Sequence, residues 1–466
     1  MKLKYFGIVS ILLLYVFLSK SLLLVDPIVF PDETLFATVG YSLVAPDQFS
    51  SNWFSTHLAQ AEASEMIYHG PLYYYFLAGV FKFFSFGINQ LRLASLVLGL
   101  VSLGLIYWLL TRMKEKNDQW TSLLGMLVVG SDYFFLRSSR FGRQEMMVIM
   151  FSLLGLVSYF SWLKKKSSWN LGLVCLALLG AFFTHYLLGL VIVGTILIDR
   201  LLTEKKKIVK DRLSWGVVLS IFGGALVWGL KVFQIRQEIE KMVGLGVARL
   251  VPTFRSVRAI LAGDSLMKLV VATYLLSLVV LSLLKNKSRF EKVIMIYGWL
   301  SIGILVYGGL DWYLGLFGIV GGLSMYGVSQ FFRRKGNING QYLMIMVMVV
   351  MVIVNLVEQG LIKRWFADYD YDEYGEKVSS LLPNGAKVWV RQLMPDPSLY
   401  LAEKRPDLHL IFEGYNYDLG VKNRQQLDVA EYMVVYEVDE VLRSVKDVNR
   451  INETRHTSSL KVVRLK

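Results

Sequence analysis

Long apolar runs recur along almost the whole sequence and leave few folds open to it. A helix needs about 20 mostly apolar residues to cross the hydrocarbon core of a bilayer. With 55% hydrophobic residues among 466, the chain is predicted to be mainly α, a polytopic membrane helix bundle of about eleven spans. The predicted spans lie at about 5–25, 92–111, 120–136, 145–163, 169–184, 187–203, 213–231, 266–284, 290–309, 312–331 and 340–360.

Basic residues between these runs predict how the chain is oriented. Lys and Arg cluster in every second connection, at 112–116, 164–166, 205–210, 285–289 and 333–335. Cytoplasmic loops carry an excess of these residues, so these connections and the N-terminus are predicted to be cytoplasmic. The same loops explain most of the net charge of +14, which therefore does not indicate a nucleic-acid partner. We predict a multi-pass protein of the plasma (inner) membrane with an extracytoplasmic C-terminus.

Three local features refine this topology. Lys2 and Lys4 precede an apolar run without a small-x-small cleavage site, which predicts an uncleaved signal-anchor helix. Segment 71–87 is apolar and rich in Tyr and Phe, and counting it as a span would break the alternation of basic loops. It is predicted to be a juxtamembrane helix on the outer surface. The single cysteine, Cys175, excludes a disulfide framework and a cysteine-based metal site.

The outer segments are expected to carry the function. All nine prolines and all five histidines fall in them, chiefly in the loops 26–91 and 232–265 and in the tail 361–466. The tail alternates short apolar strands with helical stretches and is predicted to be a small extracytoplasmic α/β domain, separate from a membrane domain over 1–360. The strands are predicted at 386–392, 408–412, 431–437 and 460–465, and the helices at 374–382 and 398–404.

An acidic pair, Asp32-Glu33, stands just beyond the first predicted span. Charges near hydrocarbon are costly and often mark a substrate or ion site. A carboxylate there can act as general base on an acceptor hydroxyl or bind a divalent cation. Pro31-Asp32-Glu33 is also a good helix start, and both interpretations can hold together.

Three arginines, Arg137, Arg140 and Arg143, precede the fourth span and are followed by Glu145. Spaced by three, Arg140 and Arg143 are predicted to share a helix face. Guanidinium groups match phosphate oxygens bidentately, which indicates a phosphate-bearing substrate. The alternative is lipid-headgroup binding together with an intramolecular ion pair to Glu145.

Weaker patterns lie elsewhere on the predicted outer face. Glu62, Glu65 and His69 fall on one helix face, where a solvated surface is favoured over a metal site. The loop 232–265 can close over an anionic lipid headgroup or lie as an amphipathic surface helix. His185 is an isolated histidine between two spans. The basic residues of that loop are Arg236, Lys241, Arg249, Arg255 and Arg258.

The order of these parts resembles a known family. An acidic pair after a signal anchor is followed by His69-Gly70-Pro71-Leu72-Tyr73-Tyr74-Tyr75, by Asn89-Gln90-Leu91-Arg92-Leu93 and by Ser139-Arg140-Phe141-Gly142-Arg143-Gln144-Glu145. Over roughly the first 200 residues this is similar to the GT-C class of membrane glycosyltransferases, in the protein O-mannosyltransferase and aminoarabinose transferase branch. The later spans resemble those of the family only in their general character.

The resemblance implies an inverting sugar transfer from a polyprenyl-phosphate donor to an acceptor hydroxyl, on a protein or glycolipid, at the outer face. It maps the essential acid to Asp32, with Glu33 beside it, and the second acid to Glu145. It maps donor-binding positions to Arg92 and His69. The aminoarabinose branch usually has lysine at the positions of His69 and His185, so these histidines argue against aminoarabinose transfer itself. A divalent metal at Asp32 and Glu145 is left open.

Two alternatives remain from the sequence. A transporter or flippase for lipid-linked glycans would also need acids and arginines at the membrane edge. Transporters tend to place charges in broken helices of repeated halves, whereas these spans contain few charges, no proline and no repeat. A ligase that moves a whole glycan differs only in its donor.

Overall fold

Helices account for most of the fold. The computed structural model describes residues 2–45, 70–113, 119–204, 212–234, 265–308, 314–365, 369–390, 396–412, 431–436, 447–451 and 460–464. The helices are α1 (Lys2–Lys20), α2 (Pro31–Ser42), α3 (Pro71–Phe84), α4 (Ile88–Met113), α5 (Gln119–Ser131), α6 (Tyr133–Arg140), α7 (Glu145–Lys164), α8 (Ser168–Thr184), α9 (Tyr186–Glu204), α10 (Arg212–Gln234), α11 (Ser265–Leu283), α12 (Arg289–Gly308), α13 (Gly315–Arg334), α14 (Ile338–Trp365), α15 (Tyr371–Ser380) and α16 (Ser398–Lys404).

Each predicted membrane run coincides with a helix or a helix pair, which confirms the mainly α polytopic fold. Within the described residues, five helices are long and apolar enough by themselves to cross a membrane. The total of eleven crossings and the outer-surface position of α3 stay predictions. The five are Ile88–Thr111, Glu145–Lys164, Ser265–Leu283, Gly315–Arg334 and Ile338–Arg364.

The run at 120–136 differs from prediction because it is not one continuous helix. It divides at Asp132 into α5 and α6. The Asp132 carboxylate accepts the Phe135 N–H at 2.8 Å and the Tyr274 hydroxyl at 2.8 Å. An aspartate that accepts a backbone N–H of the following turn starts a new helix, which accounts for the break.

The chain forms two compact units. The first comprises residues 1–21, 95–139 and 144–363, and the second comprises 22–94, 140–143 and 364–466. The predicted division at residue 360 stays a prediction. The structure places residues 364–466 in one unit with residues 22–94 and 140–143.

The first unit is a helix bundle in which α7 packs on α8, α11 on α13 and α9 on α12. A buried polar cluster joins three of these helices. Asp199 on α9 accepts hydrogen bonds from Tyr159 on α7 and from Arg289 on α12, the latter at 2.8 Å. Because a buried carboxylate needs a partner, this ion pair stabilises the arrangement of the three helices.

The second unit begins with α2 packed against α3. The Phe36 ring lies edge-on to Tyr73, 5.5 Å between centroids, and stacks on Tyr74 at 5.6 Å. A Cβ at Gly40 would lie 2.7 Å from the Leu77 Cβ, so only glycine allows this approach. The aromatic residues that predict an interfacial segment therefore also form the contact that holds α2.

The tail contributes a five-stranded sheet to the second unit. The strands are β1 (Lys387–Val390), β2 (His409–Phe412), β3 (Tyr432–Tyr436), β4 (Asp447–Ile451) and β5 (Leu460–Arg464), in the order β2-β1-β3-β5-β4. β1 is parallel to β2 and β3, and β5 is antiparallel to β3 and β4. Sequence prediction missed β4 because its residues, DVNRI, are mostly polar.

Candidate functional site

The acidic pair lies in the first turn of α2. Phe30 precedes the helix in an extended conformation, and Pro31 occupies its first turn. The Phe30 N–H donates to Glu33 Oε2 at 3.1 Å, so a carboxylate in the first turn satisfies one exposed backbone donor. The predicted helix start at Pro31-Asp32-Glu33 is confirmed.

Glu33 is fully buried and both its oxygens are hydrogen-bonded. Arg92 donates from Nε to Oε1 at 2.8 Å and from Nη2 to Oε2 at 2.5 Å. The Gly142 N–H donates to Oε1 at 2.8 Å, in addition to the Phe30 N–H on Oε2. A carboxylate with this many donors and a bidentate guanidinium is held in one orientation. This geometry suits Glu33 as a structural anchor rather than as a proton acceptor.

Arg92, near the start of α4, is equally enclosed. Its Nη1 donates to the Leu23 carbonyl at 2.5 Å and to the Pro27 carbonyl at 2.9 Å, while its other nitrogens contact Glu33. The guanidinium thus ties α4 to the segment that leads into α2. The predicted role in donor binding would require Arg92 to give up these contacts.

Arg140, the last residue of α6, forms a second buried pair. Its Nη2 lies 2.6 Å from Asp26 Oδ2, and its Nε donates to the Asp26 carbonyl at 2.7 Å. Pairing of these arginines with acids of residues 26–32 was not predicted, and the predicted ion pair with Glu145 stays a prediction. Asp26 was not singled out from the sequence because an aspartate before proline is a common turn residue.

Arg143 forms the third pair, with Asp32. Arg143 lies in the turn between α6 and α7, so the prediction that it shares a helix face with Arg140 is wrong. Phe141-Gly142 ends the helix, and a Cβ at Gly142 would lie 2.4 Å from Leu91 Cγ. The Arg143 guanidinium carbon lies 5.2 Å from the centre of the Phe141 ring, within cation–π range.

The third pair differs from the other two in its exposure. The side chain of Asp32 is 14% exposed, whereas the side chain of Glu33 is 0% exposed. Asp32 is therefore the carboxylate of the predicted acidic pair that solvent or a substrate can reach.

The remaining predicted residues belong to the first unit or lie outside the described residues. Glu145 is the first residue of α7, is buried and belongs to the first unit, as does His185. The His185 backbone is extended between α8 and α9, and its Nδ1 accepts the Leu188 N–H at 3.3 Å, which gives it a helix-starting role. The other predicted residues lie outside the described residues: Glu62, Glu65, His69, Arg236, Lys241, Arg249, Arg255 and Arg258.

No metal-ligand group is found in the described part of the chain, where a cluster of three or more His, Cys, Asp or Glu is absent. The metal site considered for Glu62, Glu65 and His69 falls outside the described residues. A metal at Asp32 and Glu145 stays a prediction.

One buried residue near the acidic pair had no signal as a site residue in the sequence. Asp396 is fully buried, and its Oδ2 accepts the Thr34 hydroxyl at 2.8 Å across 362 residues of sequence. Burial, with a smaller contribution from the negative charge of Glu33, raises the pKa of Asp396 from 3.8 to about 6, although hydrogen bonds from Ser398 and Thr34 lower it. The sequence indicates that Asp396, which precedes Pro397 and a predicted helix, caps that helix. Its hydrogen bond with Thr34 cannot be deduced from neighbouring residues.

The raised pKa of Asp396 predicts a stability effect with a definite sign. Between pH 3.8 and about 6 the folded protein holds a proton that the unfolded chain releases, so stability falls as pH rises through this window. At pH 7.5 the buried charge costs about 3 kcal/mol. We expect Asp396→Asn to melt at a higher temperature than wild type at pH 7.5, with the gap closing toward pH 4, measured by thermal unfolding in detergent.

Asp407, in the same tail, is a control because its pKa is shifted in the opposite direction to that of Asp396. A hydrogen bond from Arg405 holds the pKa of Asp407 well below its usual range. This contribution to stability is present above pH 3.8 and is lost only as pH falls below it. Asp407→Asn should therefore not raise the melting temperature at pH 7.5. An Asp396→Asn protein that gains nothing at pH 7.5 would contradict the assigned cost of the buried charge.

Comparisons with known proteins agree with the sequence resemblance. Residues 68–229 match the model of the family described as dolichyl-phosphate-mannose-protein mannosyltransferase. Among curated proteins, none matches the chain. The family match begins just before α3 and ends within α10.

The fold is similar to solved structures over nearly its whole length. ArnT from Cupriavidus metallidurans bound to undecaprenyl phosphate has a TM-score of 0.61 and 14% identity, covering 98% of this chain and 97% of that one. The archaeal oligosaccharyltransferase AglB from Archaeoglobus fulgidus, in complex with an inhibitory peptide and a dolichol-phosphate, has a TM-score of 0.53 and 11% identity, covering 93% and 70%. The resemblance to GT-C membrane glycosyltransferases is confirmed, and the structural similarity extends beyond the first 200 residues.

Proposed function

We propose that this multi-pass membrane protein is a glycosyltransferase that moves a sugar from a polyprenyl-phosphate donor to an acceptor hydroxyl at the outer membrane face. The observation that carries the proposal is the Asp32–Arg143 pair, a partly exposed acid beside a guanidinium. The family match supports sugar transfer. Structures of this fold with undecaprenyl phosphate or a dolichol-phosphate support a lipid-phosphate donor.

Asp32 is the proposed general base. Its carboxylate takes the proton of the acceptor hydroxyl as the hydroxyl oxygen attacks the anomeric carbon. The bond from that carbon to the phosphate oxygen breaks on the opposite face, and polyprenyl phosphate leaves with the electron pair. One displacement inverts the anomeric centre. The leaving phosphate is already ionised, so the step needs a cation for the developing charge rather than a strong acid.

Arg143 is the proposed group for that charge. Arg143 pairs with an acid whose side chain is 14% exposed, whereas Arg92 and Arg140 pair with acids whose side chains are 0% and 7% exposed. A donor phosphate that draws Arg143 toward it would weaken the ion pair and leave Asp32 available to accept a proton. Arg92 and Arg140, although predicted to bind phosphate, are assigned to holding the acidic segment.

The other predicted roles are kept as proposals. Glu145 is proposed to position the acceptor or a cation, and His69, His185, Arg255 and Arg258 to contact the donor. The cytoplasmic N-terminus and extracytoplasmic tail follow from the basic loops and rest on that pattern. The sugar and the acceptor are not specified by these residues.

Donor binding tests the role of Arg143. Arg143→Gln keeps a polar side chain of similar reach but removes the charge, so we expect a 10- to 100-fold higher donor KM, corresponding to the roughly 1.5–3 kcal/mol of a charged hydrogen bond. The measurement is transfer or slow hydrolysis of polyprenyl-phosphate hexoses by the protein in nanodiscs. The control is Lys377→Gln, which removes one charge from an exposed lysine of α15.

The outcomes separate the candidate functions. Wild type that turns over at least one donor of the panel, with Arg143→Gln impaired and Lys377→Gln normal, supports the transferase and its phosphate site. Donor binding without turnover, accompanied by movement of labelled donor between the leaflets of a vesicle, would instead favour the flippase. Equal donor KM for wild type and Arg143→Gln would remove Arg143 from the proposed site.

A further inference from the structure

We propose that Asp396 of the C-terminal tail is a positioning residue for the base Asp32, so that the tail completes the active site. This inference rests on the proposed function, because it assigns to Asp396 the placement of a group whose catalytic role is itself proposed. Asp396 touches no substrate in this scheme. It acts through the backbone and side chain of the segment that carries the acidic pair.

Asp396 holds that segment at two points. Its backbone N–H donates to the Val29 carbonyl at 3.0 Å, before the helix. Its Oδ2 accepts the Thr34 hydroxyl at 2.8 Å, within the first turn. Asp32 lies between these two points in the sequence, so one residue of the tail fixes the chain on both sides of the proposed base.

Asp396 is itself held in place by two helices of the tail. The Tyr371 hydroxyl of α15 donates to the Asp396 carbonyl at 2.8 Å. The Ser398 N–H, at the start of α16, donates to Oδ1 at 2.9 Å. Asp396, Ser398 and Tyr371 are buried, so water competes little with these hydrogen bonds.

Two residues in the first turn of α2 are therefore each held by a distant partner. Glu33 is fixed by Arg92, and Thr34 is fixed by Asp396. Asp32 precedes both, and among the described residues its charged contact is with Arg143, the residue proposed to respond to donor. If that contact loosens when donor binds, the two anchors are what keep the base aimed at the acceptor. A displacement of about 1 Å can cost a reaction 100-fold.

The test uses the full-length protein in nanodiscs and the polyprenyl-phosphate hexose that wild type turns over. Thr34→Val removes the hydroxyl without changing the shape of the side chain. We expect kcat to fall about tenfold, with the donor KM within twofold of wild type, because positioning acts on the reacting geometry rather than on donor binding. Thr34→Ser, which restores the hydroxyl, should recover most of kcat. Thr273→Val, at a half-buried threonine of α11 whose hydroxyl donates to the Leu269 carbonyl of the same helix, is the matched control.

A second variant covers the risk that an unpaired Asp396 carboxylate unfolds the protein. Thr34→Val combined with Asp396→Asn removes both the hydroxyl and the buried charge, while the amide oxygen can still accept the Ser398 N–H. The double variant should melt near wild type and still show the lower kcat. Normal kcat in both variants would overturn the inference.

Hydrogen exchange gives a readout that needs no donor. The backbone N–H groups of Asp396 and Ser398 should exchange at least several-fold faster in Thr34→Val than in wild type. Unchanged exchange would show that the Thr34 hydroxyl does not hold the tail, whatever the enzyme transfers. If exchange is faster but wild type turns over no donor, the proposed function is overturned, and the catalytic part of this inference with it. The structural part, that the Thr34 hydroxyl holds Asp396, would still be supported.

Discussion

Replacing Asp32 by asparagine is expected to lower sugar transfer by about 10²- to 10⁴-fold, the usual contribution of a general base. The amide has the shape of the carboxylate and can still accept a hydrogen bond from Arg143, but it cannot take the proton of the acceptor hydroxyl. Donor KM should stay within about threefold of wild type, because the phosphate is proposed to contact Arg143 and not Asp32. The measurement is initial-rate transfer in nanodiscs at saturating acceptor, with donor binding measured separately.

The matched control for Asp32→Asn is Asp372→Asn. Asp372 is an acid in the first turn of another helix of the same unit, α15, and removing its charge should leave transfer unchanged. Glu33→Gln is a less suitable control, because it also weakens the buried pair between Glu33 and Arg92. An Asp32→Asn protein that keeps more than a tenth of wild-type kcat would remove Asp32 from the role of base and direct attention to Glu145.

Breaking the Glu33–Arg92 pair is expected to have the largest effect on stability. Arg92→Leu leaves the Glu33 carboxylate buried without its cation and frees the Leu23 and Pro27 carbonyls that Arg92 contacts. Removing one partner of a buried pair typically costs about 3–5 kcal/mol. We expect a large drop in melting temperature in detergent and a poor yield of folded protein.

A double variant separates charge from packing in this pair. Glu33→Gln combined with Arg92→Leu removes the stranded charge and should recover part of the lost stability, giving a favourable coupling between the two sites. For comparison, Lys377→Leu breaks a pair with Glu373 in which both side chains are more than half exposed, and should change stability by less than about 1 kcal/mol. If Arg92→Leu were no more harmful than Lys377→Leu, the buried pair would not be what holds the acidic segment.

Much of the fold could be predicted because hydrophobic length and periodicity are local properties. The apolar runs coincide with helices, and four of the five tail strands were predicted from short apolar segments. The break at Asp132 was missed, because a single polar residue inside a long apolar run barely lowers the mean hydropathy. The hydrogen bond from the Phe135 N–H to Asp132, which caps α6, depends on the folded backbone and cannot be recognised in the sequence.

The candidate site was predicted in its residues but not in their pairing. The acidic pair and the arginines of the 137–145 segment stood out because charges at a membrane edge are costly, and this cost can be recognised in the sequence. The sequence suggested phosphate or Glu145 as the partner of the arginines, and did not suggest the acids of residues 26–32. In the structure Glu33 and Arg140 have partners more than 50 residues away, and of the two acids Asp32 is the one left partly exposed.

The sequence alone determined that this chain is a polytopic helical membrane protein with an acidic segment, several arginines and a mixed α/β tail. It did so because burial in lipid and helix formation depend on runs of neighbouring residues. Only the tertiary structure decided which arginine meets which acid, and that Asp396 of the tail lies against Val29 and Thr34. Those contacts join residues up to several hundred positions apart, and their energies depend on burial and direction, which no local pattern carries.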